Sequence, residues 1–273
     1  MENPHNAVVH RGIPDAQYRS IKALSKSSLT SFLTSPAHYL ASTETPKETT
    51  DAMMFGTAYH TYVLTPDRFD DHVCIKPKWD ARTKEGKQAK ADFEAALNGR
   101  VCISEDEMAD IIAMSQALMS HPIAAEILGQ KRENEMAIEA DHPIGGGKTL
   151  RIKGLLDGWI EETKTIFDLK TCKDASPAGF KKAVRDFRYD MQEAQYKHLI
   201  AYAGLGRDEV TFKWIAQEKH APFAVAVYVL SARTVGNAID EWRLSLENFY
   251  DCQTKGIWPG YSDTKIIELE VVL

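Results

Sequence analysis

The chain has 273 residues, 44% hydrophobic and 26% charged, with a formal net charge of −6 and a pI near 5.9. This balance fits a soluble globular protein with a real core and excludes an extended disordered chain. The acidic total excludes a general coater of nucleic acid, but leaves room for local basic groups that bind phosphate. No apolar run is long enough for a membrane span, and residues 1–5 carry no apolar signal core. The cysteines, Cys74, Cys102, Cys172 and Cys252, stand far apart in sequence, as reduced thiols of a cytosolic protein do.

Residues 1–23 lack periodicity and are expected to form an irregular arm. Ser27 or Ser28 can cap a helix through Leu29, Phe32 and Leu33, and a second short helix follows Pro36. Residues 53–64 are expected to form a buried helix with Gly56 and His60 one turn apart on a shared face. Glycine there would let another backbone, or a ligand, come close. Residues 76–90 are the most basic stretch: six Lys/Arg against Asp80 and Glu85, a local charge of +4. Lys78, Trp79, Arg82, Lys84 and Lys87 in that stretch have the composition of a phosphate-gripping segment with a stacking aromatic; a solvated loop leading into a helix has the same composition. Ser104 and Glu107 form a capping box for an amphipathic helix over 104–119, and a further helix covers 123–128.

From residue 133 the pattern changes. Glu133–Ala140 and Leu150–Leu156 read as strands joined at Gly145-Gly146-Gly147, and Thr165–Lys170 as a third strand after the polar turn 161–164. Helices are expected from Ser176 to Val184 and again through Gln192, Tyr196 and Leu199. Strands follow at 210–216 and 223–230, the second nearly all apolar and therefore expected to be buried. Ser231 opens a last helix to about residue 253. The order is that of an α/β protein with a mixed central β-sheet flanked by helices and a helical N-terminal part. No repeat or linker divides it. The reading is one domain over 1–273, with the arm at 1–23, a mainly helical part at 24–130 and the α/β core at 131–273.

The chemistry concentrates in residues 154–174. Side chains alternate along a strand, so Asp168 and Lys170 share one face while Leu169 points into the core. Folding of the hairpin can bring Asp157, at the end of the preceding strand, close to Asp168. Two carboxylates and an ammonium in one small site suit metal-assisted phosphodiester hydrolysis: hard oxygen ligands for Mg²⁺ and a cation beside the attacking water.

Four motifs in order, Gly56/His60, Gly154/Asp157, Asp168/Lys170 and Gln192/Tyr196, resemble those of RecE-type exonucleases (exodeoxyribonuclease VIII), in the RecB-like branch of the PD-(D/E)XK nuclease superfamily. Ser35-Pro36-Ala37-His38-Tyr39 and Trp258-Pro259-Gly260-Tyr261 add to the likeness, which spans about residues 24–262. The resemblance implies a PD-(D/E)XK core. It implies that Asp157, Asp168, the Leu169 carbonyl and His60 hold Mg²⁺, with Mn²⁺ as a substitute, that Lys170 activates water, and that Gln192 and Tyr196 brace the site. It further implies digestion of one strand of linear duplex DNA from a 5′ end, a homo-oligomeric ring, and a single-strand annealing partner of the RecT type. Glu135 is a further acid in a position where relatives often carry one. A catalytically idle DNA-end-binding scaffold is the rival reading. Another RecB-like nuclease with an iron–sulfur cluster is disfavoured by the unclustered cysteines.

Overall fold

A computed structural model describes residues 4–45, 49–80, 82–97, 99–206 and 209–262. The N-terminal part contains β1 (Val8–Arg11), α1 (Asp15–Ser20), β2 (Leu24–Ser25), α2 (Lys26–Thr34), α3 (Pro36–Glu44) and α4 (Asp51–Leu64). After a 3₁₀ turn at Pro66–Arg68 come α5 (Phe69–His72), β3 (Val73–Ile75), α6 (Lys84–Ala95), β4 (Val101–Ile103), α7 (Glu105–Ser120) and α8 (Pro122–Gly129). The rest is β5 (Glu133–Gly145), β6 (Lys148–Ile160), β7 (Thr165–Cys172), α9 (Pro177–Phe187), α10 (Tyr189–Tyr202), β8 (Thr211–Glu218), β9 (Val225–Tyr228) and α11 (Ala232–Lys255).

The main sheet runs β1-β5-β6-β7-β8-β9, with β2 pairing β6 off that path. β5 and β6 form a long antiparallel hairpin around Gly145, Gly146 and Gly147, all at positive φ. Glycine is the residue that takes up such a backbone without strain. β7 and β8 are parallel, and a parallel pair needs a crossover, which α9 and α10 provide. The sheet is covered on both faces. One face packs Ile138, Ile152, Ile166 and Trp214 against α10, α11 and α2. The other packs Phe167, Leu169 and Ile215 against α4, α7 and α8. Strict alternation along β7 thus sends Leu169 to one core and Asp168 to the opposite face, under α10. This is the expected mixed α/β architecture.

Several expectations about the N-terminal part need correction. Within the arm, residues 8–11 are a strand that extends the sheet beside β5, and residues 15–20 are a helix; residues 1–3 lie outside the described residues, as do 263–273 at the other end. Lys153 fixes that helix by donating from Nζ to the carbonyls of Tyr18 and Ile21, both at 2.8 Å. This interaction spans more than a hundred residues, so no local pattern announces it. The cap of α2 is Ser25, whose side chain accepts from the Ser28 N–H, rather than Ser27 or Ser28. The last strand is shorter than expected and half-buried at the sheet edge. Its apolar run is divided between the two faces, with Val225 and Val227 against one core and Tyr228 and Leu230 against the other.

The Ser104/Glu107 capping box is present. The two outlying motifs meet: the Ala37 N–H donates to the Pro259 carbonyl at 3.1 Å, and the Tyr39 and Trp258 rings lie 5.2 Å apart. They clasp α3 to the segment after α11 and stand apart from the chemistry. Among the described residues no single helix is long and apolar enough to cross a membrane. The bent pair α7–α8 approaches that length only at a 93° break, and both helices bury apolar residues in the core.

One buried polar group gives the fold an acid sensitivity. His142 is held between β5 and the helices α10 and α11, with Nδ1 2.7 Å from the Tyr202 hydroxyl and its ring against Trp242. Burial pushes its pKa down to about 4, aided by His198, Arg243 and His5. The unfolded chain binds this proton near pH 6.5. The neutral imidazole therefore contributes stability that is complete above pH 6.5 and lost as pH falls through about 4. Thermal melts of the wild type should drop across that window, and His142→Phe should show a shallower drop. Equal pH dependence in both proteins would contradict this origin.

Candidate active site

The site begins where the sheet divides. β6 pairs with β7 only at Gly158↔Phe167, Trp159↔Ile166 and Ile160↔Thr165. Earlier on the same strand, Ile152 and Lys153 pair with Leu24 and Ser25 of β2. Residues 154–157 lie between these two partners, and there the edge of β6 opens. Gly158 sets the point of separation: a Cβ there would stand 2.0 Å from the Phe167 ring. At the next position, Asp157 Oδ2 accepts the Leu169 N–H at 2.8 Å. A side-chain carboxylate replaces the next rung of the ladder. A strand residue directs its N–H and C=O to the same side, so the Leu169 carbonyl faces the same opening.

A cavity of about 220 Å³ fills the opening. Asp157, Asp168, Lys170, Gln192 and Tyr196 all line it, which joins three separate stretches of sequence. Asp168 is 2% exposed. Gln192 donates from its side-chain amide to Asp168 Oδ2. Lys170 Nζ lies 2.5 Å from Asp168 Oδ1, yet that oxygen is buried without a properly directed hydrogen bond. Burial pushes the Asp168 carboxyl up to about 6, and the neighbouring Asp157 adds to the rise against the pull of Lys170 and His60. Burial alone would lower the Lys170 ammonium, but Asp168 and Asp157 outweigh it and hold the group above its ordinary value. Lys170 is therefore a firm cation.

A buried oxygen short of a donor, beside a second carboxylate that disfavours its charge, suits a hard divalent cation. Among the described residues no three His, Cys, Asp or Glu side chains converge as a closed metal cage. Mg²⁺ does not require one, since it typically uses one or two carboxylates and keeps water or substrate oxygens for the rest. The donor set present, two carboxylates and a main-chain carbonyl, fits that ion.

The remaining predicted residues divide. His60 Nδ1 stands 3.7 Å from Asp157 Oδ2, beside the cavity and beyond hydrogen-bond distance. Gly56 faces the protein itself, with its Cβ direction 3.9 Å from Thr171 Oγ1 on β7. A Cβ would make only an ordinary contact at that distance, so helix–sheet packing does not by itself require glycine there. Glu135 does not line the cavity; it adopts φ 51° opposite the opening and reaches toward Arg68 at 3.9 Å. The basic segment lies away from the cavity: Lys78 pairs with Glu105 at 3.0 Å, Trp79 packs on Phe93 with ring centres 5.5 Å apart, and Lys84 and Lys87 are on α6. Arg82, Lys84 and Lys87 are exposed.

The cavity also holds residues that the motifs did not indicate. Tyr18, Lys26 and Tyr189 line it, the first two brought in by α1 and by β2–α2. Gln195 fastens that connection: its amide donates to the Lys153 carbonyl at 2.8 Å and the Leu24 carbonyl at 3.3 Å, and its oxygen accepts from Trp242. A two-residue parallel strand has too little pattern to be read in advance, and it is the element that delivers Lys26.

A family profile described as a PDDEXK-like domain of unknown function (DUF3799) matches residues 25–267. The chain belongs to this family. Its fold resembles that of a protein from Eubacterium rectale described, provisionally, as an exonuclease, with a TM-score of 0.65, 12% identity, and coverage of 96% of this chain and 97% of the other. A phage-related exonuclease from Haemophilus somnus 129PT aligns over 86% of this chain and 96% of its own at 12% identity, with a TM-score of 0.34. No curated protein matches the sequence.

The glycine three residues before Asp157 has a packing cause here. A Cβ on Gly154 would lie 2.7 Å from Tyr196 Cε1 and 2.8 Å from Leu199 Cδ1. Gly154→Ala should therefore cost about 1–3 kcal/mol in urea denaturation, as overpacking does. Gly236→Ala, inside α11 with open space around it, should instead stabilise by roughly 0.5–1 kcal/mol through helix propensity. Indifference of the protein to Gly154→Ala would contradict the packing.

Proposed function

We propose that this chain is a metal-dependent exodeoxyribonuclease that degrades one strand of linear double-stranded DNA from its end. The observation that carries the reading is the convergence of Asp157, Asp168 and Lys170 in one buried cavity at the opening of the sheet, in a PDDEXK-like chain. The fold likeness to the Eubacterium rectale protein over nearly the whole chain supports it. The motif resemblance extends the proposal to 5′-to-3′ digestion, with 3′ single-stranded tails passed to an annealing protein of the RecT type, and to action as a homo-oligomeric ring in the cytoplasm. The whole of 1–273 acts as one exonuclease domain in this reading.

Asp157, Asp168 and the Leu169 carbonyl would hold Mg²⁺, or Mn²⁺ in its place, with His60 at the edge. The bound ion would supply Lewis-acid polarisation of the phosphate and a more acidic water. Lys170 orients the attacking water and stabilises the charge that grows on the phosphate oxygens. Gln192 keeps Asp168 from turning away from the opening. Tyr196, fully packed against Gly154, supports the strand that carries Asp157. Contacts of this type reach phosphate and not base edges, so sequence preference should be weak.

The test is digestion of end-labelled linear duplex with Mg²⁺, comparing 5′-phosphate with 5′-hydroxyl ends. Asp168→Asn and Lys170→Met should each lose at least about 10²-fold in single-turnover rate, the scale of losing one preorganised electrostatic group. Lys170→Met should still bind DNA when Ca²⁺ replaces Mg²⁺. Wild-type rates in either variant would remove the site assignment, and a wild type inert under all metals would favour the idle end-binding scaffold.

The basic segment makes a separate prediction. If Arg82, Lys84 and Lys87 grip the duplex, replacing all three with Gln should flatten the plot of log affinity against log salt, by up to about 0.9 per lost phosphate contact. Single-turnover cleavage at saturating enzyme should hardly change. An unaltered salt slope would mean that the segment is solvated surface.

A further inference from the structure

The cavity contains a second lysine that the reading above leaves unused. Lys26 opens α2 and lines the same space as Asp157, Asp168 and Lys170. Its Nζ donates to the Phe187 carbonyl at 2.6 Å and lies 5.4 Å from the centre of the Tyr189 ring. Lys170 Nζ lies 5.0 Å from the same ring. The two ammonium groups thus share one aromatic neighbour, but their company differs. Lys170 has Asp168 at 2.5 Å. Among the described residues no carboxylate is within ion-pair distance of Lys26; the nearby Asp190 is engaged by Arg188 at 3.1 Å.

An ammonium that is half-buried and held only by a neutral carbonyl and a π-face is poorly compensated. Burial and the like charge of Lys170 lower its pKa to about 8, the direction expected of a cation lacking its counter-ion. The charge balance of the cavity says which ligand would supply one. Two carboxylates face two ammonium groups. A divalent cation on the carboxylates would leave the cavity positive by two charges, which two consecutive phosphodiesters would neutralise. Lys170 is committed beside Asp168. Lys26 comes from β2–α2, on a different element that bounds the opening, and is free to take the neighbouring anion.

We propose that Lys26 binds a phosphate of the substrate strand adjacent to the one being cut, as a charge-assisted contact that sets the register of the strand in the site. This rests on the nuclease reading and names a substrate contact that the reading does not contain.

The experiment uses the full chain and short duplexes that carry one neutral methylphosphonate at each of the first few linkages of the digested strand. Binding is measured with Ca²⁺ in place of Mg²⁺. Lys26→Gln should weaken binding of the unmodified duplex about 10-fold. The wild type should lose a similar factor at a single methylphosphonate position, and Lys26→Gln should lose nothing further there. That non-additivity at one linkage identifies the partner phosphate. Lys26→Arg should restore the single-position loss. Lys26→Met serves as a second neutral variant should Lys26→Gln fold poorly, since the Tyr189 face accepts an unbranched apolar chain.

Additive losses at every linkage, or wild-type affinity in both neutral variants, would overturn the proposal while leaving the nuclease reading intact. A wild type that neither binds these duplexes nor digests them with Mg²⁺ would overturn both, and the unmodified control shows which has failed.

Discussion

Everything at the candidate site depends on one edge of β6 being shared between two partners. Near its end the strand pairs with β7, and nearer its start it pairs with β2. On this edge the four residues between have no strand opposite them, and Asp157 is the last of these. Its carboxylate satisfies the Leu169 N–H that a continuous sheet would have given to a backbone carbonyl. The exchange keeps the buried amide paired and leaves space beside it. That space is the cavity. Phe167 against Gly158 sets one limit of it, and Gln195, tying Leu24 to Lys153, sets the other.

Burial then determines the electrostatics. An acid that was exposed would be fully ionised and solvated, and would gain little from a cation. Asp168 sits under α10 with a second carboxylate nearby, so its ionised form is disfavoured until positive charge arrives. Lys170 supplies part of that charge, and a divalent ion would supply the rest. The arrangement is costly to stability unless it is filled. Enclosure between two hydrophobic cores also makes the geometry stiff, because neither Asp168 nor Gln192 can turn without displacing packed neighbours.

The parts of this site that were legible in the sequence are those with short-range periodicity. Asp168 and Lys170 follow the two-residue period of a strand, and Gln192 and Tyr196 the one-turn spacing of a helix; both geometries survive folding unchanged. Asp157 could be placed near Asp168 because a short polar turn joins their strands. The element order from residue 133 onward was legible for the same reason. Lys26 and Tyr18 were not, because their place depends on a two-residue parallel strand and on Lys153 capping α1 from across the sheet. Glu135 could not be placed from the sequence, because its φ of 51° turns it out of the regular alternation. Cys74 and Cys102, far apart in sequence, are register partners on the parallel pair β3–β4; long-range pairing of short strands leaves no mark in spacing.

The central claim is that the opening of the sheet is a divalent-cation site built from Asp157, Asp168 and the Leu169 carbonyl. Crystals of the full chain grown with saturating Mn²⁺, with diffraction recorded at the manganese absorption edge, test it most directly. The account predicts an anomalous peak inside this cavity in the wild type, retained in Lys170→Met and absent in Asp168→Asn. A wild-type map with manganese bound elsewhere on the protein and none in the cavity would contradict it.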